Sequence, residues 1–261
     1  MVKTKSISFT KKKITEGAIL YMINIENLDM AIKSLIDTSL VNICKGDRKT
    51  KIETVKKQLS DYLKAKGDSA LLTGSIAEFF IHLFLNQENF QQNFLYFNLE
   101  EGSIKKGFDG YYTKNNNQWI LESKSGLYSA KNMITHPAKI NEAYKGLKNK
   151  IEGQDSVNNP WENAYNHASH TDVKTSKNIR DIINQLSEDY TNKKFRKVSE
   201  FNLIPCSTIF LESNWNLIDE SLLLKKIKAA LSNMKFKEIK IICLNKKSLK
   251  SFIEYLDEGI C

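Results

Sequence analysis

Gly107-Phe108-Asp109-Gly110, then Lys114-Asn115-Asn116-Asn117, then Gln118-Trp119-Ile120-Leu121-Glu122-Ser123-Lys124 is the stretch that decides the fold. Its last third, from Asn117, carries aromatic and branched apolar residues into a polar end, which suits a short buried strand. Successive strand side chains face opposite ways, so Glu122 and Lys124 share one face. Asp109 belongs to its own short strand, Gly107 to Thr113, and the asparagine run between the two is turn chemistry. A hairpin then brings Asp109 beside Glu122, with Lys124 on the same surface. Two carboxylates suit a hard cation such as Mg²⁺, and an ammonium suits a phosphate or a water. The plainer reading is an exposed strand face with alternating charge. Against it, glycines flank Asp109 and the Ile120-Leu121 pair ties the strand to a core.

Working upstream, Gly74 to Leu85 is nearly all apolar with helical periodicity, and Thr73 or Ser75 reads as its cap. Glu78 stands inside it. A glutamate is seldom buried without a partner. Either a cation or a lysine supplies one, or Glu78 lies near the helix start with its carboxylate in water. His82, one turn on, reads as a packed histidine.

The order of these pieces resembles the PD-(D/E)XK nuclease superfamily: a helix with Glu78, a strand from Asn93 to Leu99, the strand with Asp109, then Glu122-Ser123-Lys124. The resemblance covers about residues 70 to 150, with a strand near 203 to 211 as its extension. It implies an α/β, restriction-endonuclease-like αβββαβ core with a mixed sheet flanked by helices. It further implies a Mg²⁺-dependent (or Mn²⁺-dependent) deoxyribonuclease. Asp109 and Glu122 would bind the metal, Ser123 would offer its backbone carbonyl, Lys124 would activate or orient water, and Glu78 would complete the site. Phe108 stands where the motif has proline, a position that varies in the family. The Gly-x-x-x-Glu helix start, the Gly-Phe-Asp-Gly turn and the Glu-Ser-Lys strand are also similar to the nuclease subunit of Hachiman-type antiphage defence, which implies DNA and a helicase partner. The alternative is a catalytically silent nucleic-acid- or protein-binding module on the same fold.

The 261 residues carry 39 Lys and Arg against 30 Asp and Glu, a net charge of +9 that is compatible with nucleic acid. Only Arg48, Arg180 and Arg196 are arginine, so clustering informs more than the sum. The clusters are Lys11-Lys12-Lys13, Lys45 to Lys57 and Lys193 to Lys197, each of which also reads as a solvated face. No run of eighteen apolar residues exists, and the basic Met1-Val2-Lys3-Thr4-Lys5 lacks the apolar stretch of a signal peptide. Four scattered cysteines, Cys44, Cys206, Cys243 and Cys261, point to a reducing cytoplasm and no zinc site.

Residues 1–68 read as an appendage with strands Ser6 to Phe9 and Ala18 to Ile23 around a lysine-rich turn, then helices at 26–41 and 49–64. Residues 69–261 read as the nuclease-like domain. Within it, 153–172 is a long polar loop whose Trp161 and Tyr165 either stack on bases or anchor the loop. Helices are expected at 137–151, 175–190, 219–233 and 248–256, and a strand at 238–244. No Walker-type loop is present, so an ATP-driven step would belong to another chain.

Overall fold

Long apolar strands with both faces covered make the middle of a parallel sheet. The computed structural model describes residues 6–67, 69–96, 107–154 and 158–258. Among these residues the strands are Phe9–Thr15 (β1), Ala18–Ile25 (β2), Gln91–Gln92 (β3), Gly110–Lys114 (β4), Asn117–Leu127 (β5), Asn202–Phe210 (β6) and Glu238–Lys246 (β7). They form one mixed sheet in the order β1-β2-β7-β6-β5-β4-β3. The central four, β2, β7, β6 and β5, run parallel. Antiparallel pairing adds β1 at one edge and the β4–β3 pair at the other. The N-terminal strands are therefore built into the same sheet as the rest, through eight consecutive β2–β7 partners from Ala18↔Ile239 to Ile25↔Lys246.

Helices cover both faces. Met30–Lys45 (α1), Ile52–Ala65 (α2), Ala70–Gln87 (α3) and Lys250–Asp257 (α8) share one core with Ile204, Ile242 and Leu244 of the sheet. His136–Ile151 (α4), Pro160–Ala168 (α5), Lys177–Thr191 (α6) and Glu220–Leu231 (α7) pack on the other face around Ile120, Leu203 and Ile241. The chain is α/β, and α3, β3, β4, β5, α4 and β6 follow one another in the expected order. None of the described helices is long and apolar enough to cross a membrane.

Four sequence expectations are corrected. The lysine run is strand, not turn: Lys11, Lys12 and Lys13 lie within β1, which takes charge because it is an edge, and the chain reverses at Glu16-Gly17. The cap of α3 is Ser69, whose hydroxyl accepts from the Leu72 amide at 3.2 Å, while Ser75 instead donates to the Leu71 carbonyl at 2.8 Å. The strand expected from Asn93 to Leu99 is Gln91–Gln92 plus one Asn93 amide bond to the Tyr111 carbonyl, and residues 97–99 lie outside the described residues. The polar stretch 153–172 contains α5, capped by Asn159 with Pro160 at its first position. Trp161 in it is 1% exposed, edge-on to Phe108 at 4.9 Å and stacked on Phe201 at 5.4 Å, so it anchors the segment and offers no face to a base. Trp161→Ala is expected to cost about 3–5 kcal/mol, the usual penalty for emptying a buried aromatic site, read as a lower denaturant midpoint.

One buried polar chain fixes where α4 starts. His136 at its first residue accepts from the Ser207 hydroxyl through Nδ1 at 2.8 Å and donates from Nε2 to Asn245 Oδ1 at 2.9 Å. Asn245 in turn donates to the Asn216 carbonyl at 3.1 Å, which sets the amide's orientation. Burial pushes His136 down to about 4, so the ring is neutral and this tautomer holds. The helix is thereby registered on β6 and β7, and everything it carries toward β5 is placed with it.

Candidate active site

The β4–β5 hairpin sets the first pair. Asn115 and Asn116, with φ of 50° and 62°, make a two-residue turn between Lys114 and Asn117, the left-handed pair that hairpins of this length favour. The register places Gly110 opposite Leu121. Asp109 lies just before β4 rather than inside a strand from Gly107, but its amide still donates to the Leu121 carbonyl at 3.2 Å. Its carboxylate Oδ2 accepts from the Ser123 amide at 2.7 Å. Asp109 is thus held against the backbone of the Glu-Ser-Lys segment, as the hairpin reading expects.

Gly107 lets the segment that carries Asp109 pass close against the start of α5. It sits at φ 64°, and a Cβ there would stand 2.5 Å from the Pro160 carbonyl oxygen. Gly107→Ala therefore meets both a strained backbone and a clash with main chain. It is expected to cost about 2–3 kcal/mol, seen as a reduced melting temperature.

Glu122 is buried, 2% exposed. Both of its oxygens are engaged: Oε1 takes the Lys124 ammonium at 3.0 Å, and Oε2 takes the Lys150 ammonium at 2.7 Å. Glu122 and Lys124 do share one face. Lys150 arrives from α4, and Gly146, one turn earlier, lets the helix close in: a Cβ on Gly146 would lie 3.1 Å from Glu122 Oε1. Glu78, 5% exposed, is likewise buried, which overturns the solvated alternative. Its Oε1 lies 3.2 Å from His82 Nε2, and the other ring nitrogen of His82 contacts the Tyr112 hydroxyl. With Nε2–H donating to the carboxylate, Nδ1 accepts from Tyr112. His82 is fully buried, the packed histidine that was expected.

Electrostatics act strongly on Asp109. Burial, then the Glu122 and Glu78 carboxylates, push Asp109 up to about 7, against the opposing pull of Lys150 and the Ser123 amide. Burial works to lower Lys124, but Glu122, Asp109 and Glu142 outweigh it and its pKa rises. Lys124 therefore stays protonated through neutral pH, a donor and not a base. On the other face of β5, Ser123 Oγ is buried with no hydrogen-bond partner among the described residues.

The chain matches no family model and no curated protein. The reading of the site rests on its own chemistry. Among the described residues, no three His, Cys, Asp or Glu side chains group closely enough to hold a metal ion. The donors that are present are hard oxygens: the Asp109 and Glu122 carboxylates, with the Ser123 backbone, whose amide donates to Asp109, beside them. That set fits Mg²⁺ or Mn²⁺ in character, since such ions keep several waters and need only one or two carboxylates from the protein. An added positive charge would also offset the burial and the neighbouring carboxylates that push Asp109 up.

Lys150 and Gly146 are the site residues that sequence reading missed. Their signal was present: four apart on one helix face, a glycine in a helix interior and then a lysine. What the sequence lacks is the crossover that lays this face on Glu122.

Proposed function

We propose that the protein is a Mg²⁺-dependent nuclease that hydrolyses phosphodiester bonds in DNA. The observation that carries the proposal is the juxtaposition of a half-buried Asp109, on the Ser123 amide at 2.7 Å, with a buried Glu122 carboxylate bound by Lys124 at 3.0 Å. A bound Mg²⁺ or Mn²⁺ supplies Lewis-acid polarisation of the phosphate and acidifies water. Asp109 and Glu122 would hold that ion, with the Ser123 carbonyl as a third oxygen. Lys124, fixed by Glu122 and charged at neutral pH, donates toward the attacking water or the charge that develops on the phosphate oxygens. The Ser123 amide keeps the Asp109 carboxylate aimed. Glu78, held by His82, acts on the site through its charge on Asp109.

The test is incubation of the purified protein with supercoiled, linear and single-stranded DNA, with Mg²⁺ or Mn²⁺ and with EDTA. Cleavage that needs the ion is the expected result. No cleavage of any form, with DNA still bound, would instead favour the silent binding module, a reading supported by the saturation of both Glu122 oxygens with lysine. From the resemblance of the Gly-Phe-Asp-Gly turn and Glu-Ser-Lys strand to the Hachiman-type nuclease subunit we propose a helicase chain as partner. Its test is co-purification, and full activity of the isolated chain would count against it.

A further inference from the structure

We infer that Lys150 is a second phosphate-contacting residue, and that Lys124 and Lys150 together form a paired ammonium cradle for one phosphodiester. The inference rests on the nuclease reading of the site but assigns a residue from outside its hairpin. Three observations lead to it. The two ammonium groups sit on opposite oxygens of one carboxylate, at 3.0 and 2.7 Å. The carboxylate side chain is 3% exposed while the lysine side chains are 31% and 21% exposed, so Glu122 lies behind and the ammoniums stand toward solvent. Gly146 closes the rear, since even a methyl group would press on Glu122 Oε1 at 3.1 Å.

Each ammonium has three N–H donors. One from each goes to Glu122, and neither lysine has another hydrogen-bond partner among the described residues. Lys150 also lies 5.9 Å from the centre of the Phe108 ring and near enough to Asp109 to favour its charged form. Donors left on both lysines, anchored by a shared carboxylate, match the two non-bridging oxygens of a phosphodiester.

The probe is a fluorescent DNA duplex titrated with the full chain in EDTA over a range of salt concentrations, for the parent, Lys150→Met, Lys150→Gln and Lys150→Arg. A protein that neutralises one phosphate fewer has a slope of log affinity against log salt that is shallower by about 0.9. We expect the Met and Gln variants to lose about that much slope and several-fold affinity at low salt, and the Arg variant to keep both. Gln retains a donor to Glu122 without charge, so it reports even where Met fails to fold. An unchanged slope in the Gln variant, or a parent that does not bind DNA, overturns the proposal. A Lys150-dependent slope in a parent that cleaves nothing with Mg²⁺ or Mn²⁺ leaves the cradle standing and sinks the nuclease. Cleavage by the parent with an unchanged slope does the reverse.

Discussion

Lys124→Ala is expected to lose DNA cleavage by at least about 100-fold, the scale of one removed donor at a developing charge, with little change in folding. The separation follows from exposure. The Lys124 side chain is 31% exposed, and Glu122 keeps the Lys150 ammonium at 2.7 Å when Lys124 is gone. The buried carboxylate is therefore not orphaned, and the melting temperature should move by no more than about 3 °C, since about 1 kcal/mol shifts a domain of this size by 2–4 °C. Because Lys124 is held charged, Lys124→Arg should recover part of the activity, whereas a lysine acting as a base would tolerate no arginine. Cleavage by the alanine variant within tenfold of the parent would remove Lys124 from the mechanism.

Asp109→Asn is expected to do the opposite to stability. In the unfolded chain Asp109 ionises near 3.8, and in the fold burial with its two acidic neighbours holds it at about 7. A carboxyl raised in this way favours the folded state fully below the unfolded value. That contribution is lost as pH climbs toward 7, and above 7 the charged form works against the fold. Asparagine keeps an oxygen for the Ser123 amide and carries no charge. At pH 8 the variant should be more stable by about 2–4 kcal/mol, the order of a three-unit shift, while at pH 4 the two proteins should melt alike. It should also cleave nothing and show no stabilisation by Mn²⁺, which the parent should show increasingly from pH 6 to pH 8. Equal melting at pH 8, or a less stable variant, would contradict an Asp109 whose charged form the fold disfavours.

Much of the architecture was legible because it follows from period and punctuation. β6 and β7 are apolar runs that only a buried strand explains, and the asparagine pair at 115 and 116 carries the φ values a tight hairpin needs. Asp109 and Glu122 were readable together because a single turn joins them. The failures share a cause, in that tertiary position overrode local polarity. The lysines of β1 look like loop until the strand is known to be an edge. α5 looks like loop because its window is polar, although Asn159-Pro160 and the buried spacing Trp161, Ala164, Ala168 were there to be read. Glu78 was given a metal, a lysine or water as partners, and found its partner one turn along its own helix. Lys150 is 28 residues from Glu122, and only the passage of α4 back across the sheet brings them together.

The two borders of the sheet limit how this molecule joins others. On one side β1 presents Lys11, Lys12 and Lys13, all exposed, and successive strand positions send those charges to both surfaces. An incoming strand would have to lie along a row of ammonium groups, a device that keeps open edges from templating aggregation. On the other side β3 is two residues long, too short a rail for another chain to follow. Strand addition is thereby discouraged at either border. Among the described residues, the helices and the strand ends are the surfaces those two borders leave to a companion chain.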